Sequence, residues 1–406
     1  GAQTCALPIS YAARPRPGSD AARAAARWHG PVVPFSEAEA ARCGLLVDAV
    51  FGAGLARPVE DRVARVIAAA PGRVLAVDVP SGLDGATGQP RGEVRAADAT
   101  VTFFRLKPGH LLLPGRVLCG AVMLADIGLP ASVLPTVGGQ AWRNGPGLWR
   151  LPGLDPTAHK YTRGHVTILA GAGMTGAARL AAAGARRGGT GLVTLAAPDR
   201  ATGDVLRAGD PGVIVTEASV AALLMDRRRN AWVLGPGLEP QRIYINILQQ
   251  IAAVGCQVVA DAGVLAAAAG EPAGLRGAAV LTPHEGEFLR LFGPIAGDRP
   301  AAARRAAAAT GAVVLLKGPD TVIAAPDGRL AINDHAPPWL ASGGTGDVLA
   351  GLIAALIAQG LPPFEAAAAA AWVHGDAAWR SGSGLIAEDL PPHLNQAIEG
   401  ARSYRD

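Results

Sequence analysis

The sequence predicts an α/β protein of two parallel-sheet domains, the second a doubly wound sheet with helices on both faces. Three observations carry that expectation. Short apolar runs alternate with Ala-rich helical stretches, the pattern of strands joined by crossover helices. Gly-rich loops follow the strands, at the carboxyl ends where ligands gather in such sheets. The 406 residues exceed an ordinary domain of about 100–200 residues, and a Pro/Gly-rich, period-free stretch at 131–158 supplies a boundary. The expected division is a first domain at 1–135, a linker at 136–158 and a second domain at 159–406.

In chain order, residues 20–29 read as part of an Ala/Arg-rich helix. The run GLLVDAV (44–50) reads as a strand, followed by the loop FGAGL and a helix over 60–70. RVLAVDV (73–79) is the next strand and leads into PSGLDGATG. Two apolar runs joined by a helix make a parallel βαβ unit, with Asp48 and Asp78 at the strand ends. Strands at 99–104 and 121–126 complete this part. The second domain carries HVTILAG (165–171), GLVTLAA (191–197), AWVLGPG (231–237), CQVVADA (256–262), AAVLTP (278–283) and VVLLKG (313–318). Segments 320–325 and 329–332 flank Pro326-Asp327-Gly328, a hairpin turn. The most apolar run, 348–360, would span about 20 Å as a helix against a bilayer core of ~30 Å, so it reads as a buried helix rather than a membrane span.

Composition excludes several classes. The formal charge is +4, from 37 basic and 33 acidic residues, spread without a basic block, which argues against nucleic acid as a partner. Four cysteines are scattered with no C-x-x-C pair, so neither a disulfide scaffold nor a zinc site is expected, and a reducing cytoplasm is the default. Only Lys107, Lys160 and Lys317 are lysine among the 37 basic residues. Lysine supplies a compact point charge that arginine does not, which makes these three functional candidates.

The sharpest motif is Gly343-Gly344-Thr345-Gly346-Asp347 at the head of the apolar helix. Glycines admit close backbone approach, and the first helical turn offers unpaired N–H groups at the positive end of the dipole. That is an anion site suited to phosphate. Asp347 would repel a phosphate unless it acts as a base or beside a cation; the bland alternative is an ordinary helix cap. Lys317-Gly318-Pro319-Asp320-Thr321 follows a buried strand, placing a rare lysine where it can reach phosphate oxygens. His284, in TPHEGE, also follows a strand. Gly235-Pro236-Gly237 and Gly171-Ala172-Gly173 end two more. Each loop alone is explained by turn geometry; five at five strand ends point to one site.

These residues carry a resemblance. The runs HKYTRGHVTILAGAGMTGAARLAAAGARRGGTGLVTLAAP, LGPGL, VVADAGVL, LTPHEGEF, LLKGPDTVI and WLASGGTGDVLAGLIAAL, in order over 160–380, resemble the NAD(P)H-hydrate dehydratase family, a branch of the ribokinase-like fold. The runs VDAVFGAGLARP, VDVPSGLDGATG, ATVTFFRLKPGHLLLPG and VMLADIG resemble the carboxyl half of the NAD(P)H-hydrate epimerase domain, a Rossmann-like three-layer α/β/α fold often fused ahead of the dehydratase. All three lysines fall inside these runs.

The resemblance implies repair of hydrated NADH or NADPH. The implied reaction is ADP-dependent dehydration of the S epimer with release of AMP and phosphate, ATP being the alternative nucleotide. By motif, it places the hydrated cofactor against Ala177, Gly237, His284 and Asp347, with Asp347 as catalytic base. It places the nucleotide against Lys317, Gly318, Pro319, Asp320 and Thr321 and against Gly344, Thr345 and Gly346, with Mg²⁺ bridging its phosphates. In the first domain it implies K⁺ at Asp48 and Ser81. The hydrated cofactor would lie there along Gly52, Ala53, Gly54, Leu55, Ala56, Arg57 and Pro58 and reach Asp78. A homo-oligomer, a tetramer in many members, is implied; a membrane partner is not.

One departure matters. The family's epimerase carries an earlier Gly-rich motif with an Asn-Asn pair, and this sequence contains no Asn-Asn. The expectation is therefore a first domain lacking its amino-terminal half, with weak or no epimerase activity and marginal stability over 1–130. Two alternatives stand beside the repair reading: a ribokinase-like kinase of small alcohols such as vitamin precursors, and a first domain that serves for docking.

Overall fold

The computed structural model describes residues 8–11, 15–55, 57–153 and 155–404. It divides into two compact units, Gly1–Gly138 and Gly139–Asp406. Strands of the two main sheets and the longer helices are numbered below.

The first unit holds a four-stranded parallel sheet of β1 (Leu45–Asp48), β2 (Arg73–Val77), β3 (Ala99–Phe103) and β4 (Ala121–Ala125), in that spatial order. Helix α1 (Asp61–Ala68) crosses from β1 to β2 and buries Val63, Val66 and Ile67 beside Phe35 and Val59. The Ala/Arg-rich stretch forms only the short helix Asp20–Ala25, with no buried residue. The opposite sheet face is different. Register aligns Val47 with Leu75, Val77 with Val101, and Val101 with Met123. Leu45 (55%), Val47 (52%) and Met123 (53%) stay more than half exposed. Parallel sheets ordinarily have both faces covered; among the described residues of this unit the apolar row is uncovered.

The second unit is a ten-stranded sheet. Its strands are β5 (Ala141–Arg143), β6 (His165–Leu169), β7 (Leu192–Ala196), β8 (Ile214–Thr216), β9 (Ala231–Leu234), β10 (Gln257–Ala260), β11 (Val280–Leu281), β12 (Val313–Leu316), β13 (Thr321–Ala324) and β14 (Leu330–Asn333). The spatial order is β8-β7-β6-β9-β10-β11-β12-β13-β14-β5. Pairing is parallel except for β13, which runs antiparallel to both neighbours. The principal helices are α2 (Thr175–Arg187), α3 (Arg200–Arg207), α4 (Ile243–Ala253), α5 (Glu285–Phe292), α6 (Arg299–Thr310), α7 (Thr345–Ala358), α8 (Pro363–Ser381) and α9 (Leu390–Ser403).

Two strands of this sheet were not expected from the sequence. β5 lies inside the stretch read as linker and pairs with β14. Asn144 beside it bonds Asn333 (2.8 Å) and the Ala368 carbonyl (2.7 Å) and accepts from Trp149 (3.0 Å). β8 is a three-residue edge strand. Both are too short for a two-residue alternation to stand out.

Helix α7 is the core of the unit: every residue from Val348 to Ala358 is buried. It lies on α2 through small residues. A Cβ on Gly184 would stand 2.3 Å from the Val348 carbonyl oxygen, and one on Gly351 1.9 Å from that of Ala181. The two helices therefore meet backbone to backbone. The strand order reverses at β6, whose neighbours are β7 and β9. That switch point opens a crevice at the strands' carboxyl ends.

Candidate active site

Adjacent strand ends of the second unit deliver the site. Beyond β6 and β9, Gly171 and Gly237 press together: a Cβ on Gly171 would lie 1.9 Å from the Gly237 carbonyl oxygen. Gly237 itself has φ 71°, a conformation glycine adopts without strain. A Cβ there would be 3.2 Å from that of Ala177, so the structure brings Ala177 and Gly237 together at the switch point.

Beyond β10, β11 and β12 stand Asp261, His284 and Lys317. The Lys317 N–H bonds the Pro283 carbonyl (2.8 Å), and His284 and Lys317 form a one-residue bridge that extends the ladder. The Lys317 ammonium donates to Asp261 Oδ1 at 2.9 Å. Asp261 is buried, with 2% of its surface exposed. Gly344, with φ 88°, turns the chain into α7, and Asp347 sits in its first turn. A Cβ on Gly346 would lie 3.4 Å from Lys317 Nζ and 4.0 Å from Asp261 Oδ2, so the ammonium faces the head of this helix. Burial, and next the Asp261 charge, push the Asp347 carboxyl up to about 7, against the pull of Lys317. Beneath the turn, His374 is buried and held neutral, its pKa lowered to about 4 by burial. Its Nε2 lies 2.9 Å from the Thr345 carbonyl oxygen, which a neutral ring satisfies by donating.

His284 has a second duty. It is the N-cap of α5: its Nδ1 accepts from the Gly286 N–H (3.0 Å), while Glu287 accepts from the His284 N–H (2.9 Å). Its Nε2 lies 3.5 Å from Glu287 Oε1, so both ring nitrogens face the first turn of α5. In the loop from Lys317 to Thr321, the Thr321 hydroxyl is engaged with Gly318 N–H (3.2 Å) and carbonyl (2.8 Å). The Asp320 carboxylate is buried against Arg299 (3.3 Å). Gly318 and Pro319 thus present mainly backbone. Arg299 also donates to the Lys317 carbonyl (3.2 Å) and pins the loop.

The first unit assembles a second cluster. Both Asp48 oxygens accept from Ser81, at 2.6 Å from its hydroxyl and 2.7 Å from its N–H. Burial pushes this carboxyl above its usual range. Among the described residues Asp48 has no cationic partner. Asp78 has φ 74°, a conformation costly for a side-chain-bearing residue. Its carboxylate accepts from the Ala53 N–H (2.9 Å) and the Thr102 hydroxyl (3.0 Å), and pairs with Lys107 (2.5 Å). These bonds, against the opposing effect of burial, keep it ionised below the usual range. His110 reaches the Asp78 carbonyl (2.8 Å). A Cβ on Gly52 would stand 2.9 Å from Asp78 Oδ2, which is why glycine is needed there. A cleft of about 430 Å³ is lined by Val50, Phe51, Gly52, Gly54, Leu55 and Arg57. Pro58 is exposed just beyond it; Ala56 lies outside the described residues.

Sequence reasoning missed Asp261, Thr102, His110 and Arg299. Asp261 was within reach, because it ends a strand just as Asp48 and Asp78 do.

Comparisons with known proteins bear on both units. Residues 166–399 match the family model described as NAD(P)H-hydrate dehydratase, and residues 10–109 the one described as YjeF-related protein N-terminus. The bifunctional NAD(P)H-hydrate repair enzyme of Mycobacterium tuberculosis is 42% identical over 340 residues, covering 82% of this chain and 69% of that protein. The chain belongs to the family of bifunctional NAD(P)H-hydrate repair enzymes. The Escherichia coli member is 36% identical over 374 residues, 87% of this chain and 71% of that protein. Among solved structures, the ADP/ATP-dependent NAD(P)H-hydrate dehydratase of Bacillus subtilis, co-crystallised with ATP/Mg²⁺, matches with TM-score 0.55 and 28% identity over 62% of this chain and 94% of that one. A ribokinase-like superfamily protein of Enterococcus faecalis matches in fold (TM-score 0.57, 24% identity, 64% of this chain and 96% of that one). The second unit is a ribokinase-like domain in an α/β repair enzyme. Among the described residues no helix is long and apolar enough to cross a membrane.

Proposed function

We propose that the second unit dehydrates the S epimer of hydrated NADH or NADPH at the expense of ADP, with ATP as the alternative donor. The observation that carries this reading is Asp347: a carboxyl at the head of a buried helix, facing an ammonium, its pKa held at about 7. A base is most effective when its pKa lies near the working pH.

The residues account for each step. Hydroxide is a poor leaving group, and phosphorylation of the ring hydroxyl makes it a good one. Asp347 takes the hydroxyl proton as the oxygen attacks the terminal phosphoryl of the nucleotide. N–H groups at Gly344, Thr345 and Gly346, with the helix dipole, stabilise charge on the transferring group. The products of this step are AMP and the phosphorylated hydrate. The ring nitrogen's lone pair then expels phosphate, and loss of a proton from the adjacent carbon restores the dihydronicotinamide. Ala177, Gly237 and His284 seat the hydrated ring. Lys317 and the backbone from Gly318 to Thr321 seat the nucleotide.

Among the described residues no trio of His, Cys, Asp or Glu could hold a metal ion. Mg²⁺ would enter on the nucleotide's phosphates and would neutralise their charge there. In the first unit, K⁺ fits the buried Asp48 carboxylate and Ser81, an all-oxygen pair with no cation of its own. The cleft along Gly52 is the proposed epimerase site, with weak or no epimerase activity expected of this chain, and a homotetramer is the proposed assembly.

The test is turnover of hydrated NADH with ADP and with ATP, followed by recovery of dihydronicotinamide absorbance. Recovery with release of free phosphate supports the reading. A stable phosphomonoester product would instead assign a small-alcohol kinase.

A further inference from the structure

We propose that Asp261 is a positioning residue of this site: it fixes the Lys317 ammonium at the centre of the cluster and leaves Asp347 as the carboxyl that exchanges a proton with the substrate hydroxyl. The proposal rests on the dehydratase reading above.

Asp261 is the N-cap residue of the short helix Ala262–Ala267, yet its side chain makes no capping bond there. Elsewhere in the unit Asp199 and Asp298 do cap their helices, the usual use of aspartate at that position. Asp261 instead turns to Lys317 at 2.9 Å, and the next residue, Ala262, holds a positive φ of 40°. A capping bond is given up, and backbone strain is carried, to deliver one buried carboxylate to one half-buried ammonium.

The consequence is a division of labour. Three carboxyls act on Lys317: Asp261, Glu287 from α5 and Asp347 from α7. Glu287 is occupied by the His284 N–H. His374, from α8, is neutral. With Asp261 taking the short contact, Lys317 is already neutralised, and Asp347 meets both a paired cation and a like charge. Its carboxyl is therefore the one poised to take up a proton near neutral pH.

The experiment compares the wild-type chain with Asp261→Asn and Asp261→Glu. Dehydration of hydrated NADH is measured with ADP and Mg²⁺ from pH 5 to 9, and the Asp347 carboxyl is titrated by ¹³C NMR without substrate. In D261N, Lys317 turns its full charge on Asp347. We expect the acidic limb of the rate profile and the ¹³C midpoint both to fall by about one pH unit or more, with a roughly tenfold loss of plateau turnover as the base weakens. D261E restores the wild-type positions. A folded D261N whose limb and midpoint stay in place overturns the proposal, since a purely structural role lowers Tm and moves neither. Should D261N not fold, the smaller D261S takes its place. If wild type shows no turnover with either nucleotide, the dehydratase reading falls, and the NMR midpoint alone decides the role of Asp261.

Discussion

Gly171 faces Gly237 so closely that a single methyl on the first would stand 1.9 Å from the carbonyl oxygen of the second. The obstacle is backbone, not a flexible side-chain tip. We expect Gly171→Ala to force the two loops apart and to cost about 1–3 kcal/mol of stability, read as a lower urea midpoint. It should also raise KM for the hydrated cofactor, because Ala177 and Gly237 lose their mutual placement. An unchanged midpoint would show that the crevice is looser than the geometry says.

Asp347 makes the rate pH-dependent. Its carboxyl, raised to about 7 by burial and by Asp261, must be ionised to accept a proton. Turnover should therefore climb from pH 6 to 8 and level off above. Asp347→Asn should lose about 10²–10⁴-fold with the fold intact by circular dichroism. A mutant that keeps full rate would remove the carboxyl from the chemistry.

The same residue has an opposite effect on stability. Its folded pKa of about 7 stands above the ordinary 3.8, so the folded state holds the extra proton in that window. The stabilisation is complete below the lower value and is lost as pH rises through the upper one. D347N removes this loss. We expect its Tm to exceed that of wild type at pH 8 and the advantage to shrink toward pH 5. Parallel curves across that range would contradict the raised pKa.

Asp48 offers a buried carboxylate, pushed toward its neutral form by burial, with Ser81 as its chief partner. If K⁺ binds there, KCl should raise the first unit's stability relative to choline chloride. The gain is up to about 2.7 kcal/mol at a hundredfold excess over Kd, and Asp48→Asn should abolish the difference. Equal melting in both salts would remove K⁺ from this site.

The first unit should also melt first. Leu45, Val47 and Met123 lie on a sheet face with more than half their surface exposed, whereas α7 in the second unit is buried along nearly its whole length. Calorimetry should resolve two transitions, the lower assigned to residues before Gly138 by limited proteolysis. Met123→Glu, at a side chain 53% exposed, should leave the upper transition in place. A single cooperative melt would contradict this order.

Much of this was legible because it is written in local pattern. The apolar runs that became β1 to β4 and β6, β7 and β9 to β14 each stand between turn residues, and their observed ends fall within a few residues of the expected ones. The glycines at 171, 237 and 344 mark close approach or left-handed backbone, which no other residue supplies cheaply. What stayed hidden depends on partners distant in sequence. The Asp261–Lys317 pair joins residues 56 apart, and the Lys107–Asp78 pair needs the loop after β3 to fold back on β2. β5 is recognisable only once β14 is there to pair with it. Ring orientation was hidden too: nothing in TPHEGE says that His284 caps its own helix through Nδ1.

The seat of α7 on α2 has one more implication. Where Gly184 and Gly351 set peptide against peptide, no pliable side chains cushion the joint, and neither helix can slide or roll without parting from its neighbour. Asp347 thus sits on a helix whose seat admits no extra atom. Fitting a differently shaped dinucleotide then becomes a matter for the loops beyond β10, β11 and β12, which can be rebuilt while the base stays where it is.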